Sequence, residues 1–101
     1  MSWVAVIRLH DLAPDRGVCA LIEGRPVALF RLSGTDELFA LDNRCPASGA
    51  SVLSRGLVGD RGGEPKVVSP VYKHSFSLRT GACFDDPTLA VRTHPVRVVD
   101  G

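Results

Sequence analysis

The chain has 101 residues, of which 45% are hydrophobic and 23% charged, and a net charge of +1 with its histidines neutral. That length allows one domain, residues 1–101, and buries roughly two-thirds of the unfolded surface, enough for a core that needs neither metal nor disulfide. Both charge signs are spread along the chain with no run of five alike, which argues against nucleic-acid and membrane-surface binding, and no apolar stretch approaches the ~20 residues of a transmembrane helix.

The elements read as strands throughout. Residues 3–9 are rich in β-branched and aromatic side chains. Arg8 interrupts them and no charged segment precedes them, so they read as a strand and not as a signal peptide, and a cytoplasmic location is expected. Residues 12–16 contain Pro14 and form a connection. Residues 18–22 and 26–32 are apolar runs separated by Glu23-Gly24-Arg25, the pattern of a β-hairpin. Residues 33–36 make the next turn and residues 38–41 the next strand. From 42 to 63 the pattern loosens, with glycines at 49, 56, 59, 62 and 63. This stretch reads as a long loop broken by short strands at 51–53 and 57–58, and loops of that length usually serve a function. Strands at 66–68 and 75–78 follow, then a turn at Thr80-Gly81, a strand at 82–84, a turn at 85–87 and an alternating strand at 96–99. No 11-residue window has a helical period. Many short strands with turn signals between them predict an all-β antiparallel sandwich or barrel.

Three cysteines, Cys19, Cys45 and Cys83, form no C-x-x-C pair. Their odd number argues against a disulfide framework and for free thiols in a reducing compartment. Cys45, His74 and Cys83, with His94 more remote, do not match the paired spacing of a structural zinc site, so buried or half-buried thiols are the ordinary reading. A Cys45–His74 nucleophile pair lacks an evident third group to orient it. The glycine-rich run 59–63 lacks the lysine, hydroxyl and following helix of a phosphate cradle and reads as a surface hairpin or loop. No catalytic residue and no metal ligand set is therefore assigned.

One stretch stands apart. Ser69-Pro70-Val71-Tyr72-Lys73-His74-Ser75-Phe76-Ser77-Leu78-Arg79-Thr80-Gly81 resembles the second half of a Rieske iron–sulfur motif, C-P-x-H-x-x-F-x-L-x-T-G. Ser69 stands at the cysteine position and Tyr72 at the histidine position. Cys45-Pro46-Ala47 resembles the first half, C-x-H, with alanine at the histidine, and 21 residues, 48–68, separate the two halves. A Rieske centre needs two cysteines on one iron and two histidines on the other. Of the four positions Cys45, Ala47, Ser69 and Tyr72, only Cys45 keeps a competent donor. The bulky Tyr72 is a candidate plug for the cluster's volume, a candidate partner contact, or both.

The resemblance extends over nearly the whole chain to the small subunits of NAD(P)H-dependent assimilatory nitrite reductases, a Rieske-like family. It rests on Ala28-Leu29-Phe30-Arg31, Ala40-Leu41-Asp42-Asn43, residues 49–60, the stretch 69–81, Cys83 and Pro95-Val96-Arg97-Val98. It implies a Rieske-type antiparallel β fold with two loops in the cluster-binding position and no cofactor in this chain. It also implies a large catalytic partner subunit carrying FAD, a [4Fe–4S] cluster and sirohaem, which passes electrons from NAD(P)H to nitrite and yields ammonium. The former cluster loops are then the expected docking face, with Tyr72, Lys73 and His74 at its tip and Arg44, Arg55 and Arg79 joining them. Two other readings are a Rieske-type ferredoxin electron carrier, which the missing ligands oppose, and a free-standing interaction module with Cys45 as a thiol sensor.

Overall fold

The computed structural model describes residues 11–35 and 37–96. The expected strand at 3–9, and 97–99 of the expected last strand, lie outside them. The first hairpin forms as its sequence demands: β1 (Gly17–Ile22) pairs antiparallel with β2 (Arg25–Arg31), Ile22 opposite Arg25. The two-residue turn has Glu23 at φ 53° and Gly24 at φ 78°. Two positive φ values make the mirror-image turn whose twist matches that of the flanking strands. β3 (Leu38–Asp42) adds to β2, and β7 (Thr93–His94) adds to β3, which gives, among the described residues, a four-stranded sheet in the order β1-β2-β3-β7.

The second sheet has three strands, β4 (Leu57–Arg61), β5 (Glu64–Val68) and β6 (Ser75–Ser77), in that order. Here the structure corrects the long-loop expectation. Residues 57–61 are a full edge strand, and Gly62-Gly63, at φ 60° and 91°, is its hairpin turn. The strand gave little hydrophobic signal because it holds Gly59 and Asp60 and four of its five residues are exposed. The expected strand at 51–53 is instead a bridge at Ser51 and a 3₁₀ turn, Leu53–Arg55. Residues 82–84 pair only through the bridges Phe76–Cys83 and Ala82–Ala90.

The two inner faces meet in a core of Ala28, Phe30, Leu41, Leu53, Val67 and Phe76, joined by Cys45, Leu78, Cys83 and Val91. A second cluster, Leu12, Val27, Leu29 and Ala40, lines the other face of the four-stranded sheet. Strand alternation explains the division. Ala28 and Phe30 point one way from β2 and Val27 and Leu29 the other, so this run is apolar without a polar partner face.

Carboxylates fasten the turns. Asp15, itself at φ 61°, accepts bonds from the Ser33 hydroxyl (2.6 Å) and amide (3.1 Å). Glu37 accepts both terminal nitrogens of Arg79, at 2.9 and 3.0 Å. Asp86 caps Thr88 through its hydroxyl (2.6 Å) and amide (2.9 Å). These bonds hold all three carboxyls below the usual carboxylate range: Ser33 acts on Asp15, Arg79 on Glu37 and Thr88 on Asp86. The unfolded chain therefore binds protons at a higher pH than the folded chain. The stabilisation is present above the ordinary carboxylate values of about 4 and is lost as pH falls through and below them. The urea midpoint is expected to fall progressively below about pH 5, with a shallower fall in Glu37→Gln. A midpoint constant from neutral pH to pH ~3 would show that these bonds contribute nothing.

Candidate functional site

The two former cluster loops meet where the Ser69 hydroxyl lies 3.3 Å from Cys45 Sγ. The first follows β3. Asn43, 2% exposed, fixes its base: its side-chain oxygen accepts the Ser54 amide at 2.7 Å and its side-chain nitrogen donates to Cys19 Sγ at 3.4 Å. Its own backbone bonds Pro26 and Leu53. The loop then closes on itself. The Cys45 amide donates to Ala50 O (2.8 Å) and the Gly49 amide to Cys45 O (2.7 Å). Gly49 turns at φ 78° and packs beside the guanidinium of exposed Arg44.

The second loop links β5 to β6. The Ser69 amide donates to His74 O at 2.8 Å, which closes the loop's neck. The Ser69 hydroxyl accepts the Val71 amide at 3.3 Å, and its proton faces both Val71 O at 3.0 Å and Cys45 Sγ at 3.3 Å. At the tip, Tyr72 and Lys73 take φ of 63° and 58°. This is the left-handed region, which costs a non-glycine residue roughly 1–2 kcal/mol. Asp85 pins the far side by accepting the Ser75 amide at 2.7 Å.

Cys45 and Ser69 are both fully buried and touch each other. Burial pushes the Cys45 thiol up. Hydrogen bonds from the Ser69 and Ser48 hydroxyls and from the Ser48 and Ala47 amides outweigh that and leave it below the ordinary thiol value. This donor cradle suits a sulfur that carries negative charge. The rest does not suit a Rieske cluster. Ala47 offers no donor atom, Ser69 fills the second sulfur position with a hydroxyl, and Tyr72 points away at 71% exposure. The residues present do not fit a two-cysteine, two-histidine [2Fe–2S] centre.

That exposure also corrects the plug reading: Tyr72 is not inside the former cluster volume. The reactive-thiol reading of Cys45 meets its full burial, which denies an attacking group access. Cys83, like Cys45, is buried in the main core, in line with the expectation of buried or half-buried thiols for these two, and Cys19 is exposed. His94 pairs with Asp42 at 2.6 Å across β3 and β7. Among the described residues, no three histidine, cysteine or acidic side chains are grouped to hold a metal ion.

The expected docking residues separate. Arg44, Tyr72 and Lys73 are exposed on the two loops. His74 is half-buried, and its Nδ1 is buried without a partner. Arg55 is exposed but stands on the 3₁₀ turn that packs against β1 and β2. Arg79 is committed within the chain, to Glu37 by two bonds and to the Phe39 ring at 5.5 Å. Asn43 and Asp85 were missed. Each looks like an ordinary turn residue in the sequence, and only the fold shows what its side chain holds.

The sequence pattern of the Rieske-like [2Fe-2S] domain family matches residues 2–101. The nitrite reductase (NADH) small subunit of Salmonella typhimurium is 42% identical over 99% of this chain and 93% of its own length. The nitrite reductase [NAD(P)H] large subunit of Klebsiella oxytoca is 46% identical over 98% of this chain, and the match spans 10% of that longer protein. A crystal structure described as an NADH-dependent nitrite reductase small subunit from Mycobacterium tuberculosis superposes with a TM-score of 0.90. It is 45% identical and covers 95% of this chain and 86% of its own.

Proposed function

Because the chain belongs to the Rieske-like [2Fe-2S] domain family, we propose that it is the non-catalytic small subunit of an NAD(P)H-dependent nitrite reductase. It is read as one domain over its whole length. Its partner is the large subunit, which carries FAD, a [4Fe–4S] cluster and sirohaem and reduces nitrite to ammonium at the expense of NAD(P)H. The setting is the cytoplasm and the physiological role is nitrate assimilation. No helix among the described residues is long and apolar enough to cross a membrane.

The observation that carries this reading is the contact between Cys45 and Ser69 in the ligand position. A Rieske scaffold with a hydroxyl at a ligand position and no imidazoles cannot relay electrons, so its contribution is to bind and to order or shield its partner. The full-length match to small subunits supplies the partner, and the match to a segment of the Klebsiella large subunit supports the two parts working side by side. Loops on a rigid β scaffold are the usual place for recognition. The docking face is the pair of former cluster loops, with exposed Arg44, Tyr72 and Lys73, half-buried His74, and Arg55 on the neighbouring 3₁₀ turn. Arg79 is left out because Glu37 and Phe39 already hold it.

Co-expression with the large subunit tests this. The two chains are expected to co-elute, and the large subunit's nitrite-dependent NAD(P)H oxidation should depend on the small chain. The isolated small chain is expected to be colourless. Separate elution with an unchanged rate would defeat the proposal, and a brown chain with visible absorption bands would favour a ferredoxin.

A further inference from the structure

Three large apolar or aromatic side chains stand out for exposure among the described residues: Leu21 at 74%, Leu57 at 75% and Tyr72 at 71%. Leu21 lies on β1 and Leu57 opens β4, both strands of regular geometry at sheet edges. Tyr72 differs because its backbone is strained. Among the described residues, four non-glycine residues have positive φ: Asp15, Glu23, Tyr72 and Lys73. Asp15 is compensated by its two bonds to Ser33, and Glu23 shares a two-residue turn with Gly24. Tyr72 and Lys73 are consecutive, and a turn that favours Asn-Gly carries neither residue. Glycine at 73 would relieve part of the strain, yet the chain presents a tyrosine and a lysine there.

We propose that Tyr72 is the binding anchor of this chain, held ready by the turn 71–74, and that it enters an apolar pocket with a carboxylate rim on the large subunit. The proposal rests on the small-subunit reading given above. Side-chain chemistry sets the pocket. A tyrosine has an apolar ring with a hydroxyl at its end and loses little freedom when fixed, which is why it recurs as an interface hot spot. Lys73, next to it in the chain, and Arg44, on the other loop, are exposed cations and call for acidic neighbours. Rigidity is built below the tip. The neck bond from the Ser69 amide to His74 O, the Ser69 hydroxyl on the Val71 amide and the fixed φ of Pro70 all restrain the turn before any partner arrives. A contact ordered in advance loses less on binding than a flexible one. The strain is retained because the turn is shaped for recognition and not for stability.

The test measures, for each variant, the affinity for purified large subunit and the urea midpoint of the free chain. Tyr72→Ala is expected to bind at least ~30-fold more weakly, the size of a hot-spot loss, with an unchanged midpoint. Lys73→Gly is expected to raise the midpoint while weakening binding several-fold. Leu21→Ala and Leu57→Ala are expected to bind as wild type does. Tyr72→Ala binding within threefold of wild type, or the leucine variants losing affinity in its place, would overturn the anchor. Failure of the wild-type chain to bind at all, seen before any variant is compared, would instead remove the large subunit as partner and the anchor with it.

Discussion

Gly81→Ala is expected to lower the unfolding free energy by roughly 2–6 kcal/mol, much of the 5–15 kcal/mol that holds a typical domain folded. Two separate costs add at this position. Gly81 has φ 79°, where a non-glycine residue is strained by roughly 1–3 kcal/mol. A Cβ there would also lie 1.9 Å from Val91 O, a backbone atom that cannot swing aside. Moving that backbone segment adds the roughly 1–3 kcal/mol of an overpacked site. It also disturbs the bonds from the Val91 amide to Gly81 O and from the Gly81 amide to Ser77 O, both 2.8 Å. Gly24 is the control. It has nearly the same φ, 78°, but nothing within 4 Å of its would-be Cβ. Gly24→Ala should therefore cost only the conformational part, roughly 1–3 kcal/mol. Urea unfolding of the two variants separates the terms. Equal losses at Gly24 and Gly81 would show that the backbone near Val91 yields freely, and the steric argument would fail.

The sequence signalled most clearly where burial and turn chemistry agreed. The first hairpin was legible because two apolar runs flank a glycine turn, and the run that forms β2 is the one the structure buries on both faces. β4 was legible only at 57–58 and β7 not at all, for a shared reason: neither buries enough apolar surface to leave a longer pattern. β4 is an exposed edge, and β7 is two residues held by pairing to β3 and by the His94–Asp42 contact. At the site, the loss of ligands could be read residue by residue. Where the replacements point could not. Tyr72 was as consistent with a plug as with a contact, because side-chain direction is set by two positive φ angles that no residue type at 72 or 73 announces. Arg79 shows the converse error. An exposed arginine near a binding motif looks available, but Glu37, 42 positions away in the chain, holds it with two bonds.

The contact at the former ligand position makes a second large effect accessible. Ser69→Cys is expected to place a thiol against Cys45 and, on air oxidation, to close a disulfide between them. The present Oγ–Sγ distance is 3.3 Å and both side chains are fully buried, so the two groups already face each other. Bond formation draws the sulfurs to about 2.05 Å, a movement of roughly 1 Å shared by two loops. Closing a loop of about 25 residues should stabilise the chain by roughly 3 kcal/mol on the chain-entropy scale. The lost hydroxyl bonds of Ser69 to Val71 offset about 1 kcal/mol of that. The wild-type chain has three free cysteines, so the variant has one more, and under denaturing conditions two thiols should titrate after oxidation and all four after reduction. The urea midpoint should rise in the oxidised form and return on adding a reductant. If all four thiols titrate after oxidation, the two loop backbones stand too far apart for the bond, and the two ligand positions have separated further than the side-chain contact implies. A closed bond would show the opposite: the paired-cysteine geometry of the scaffold has outlived the ligands it once served.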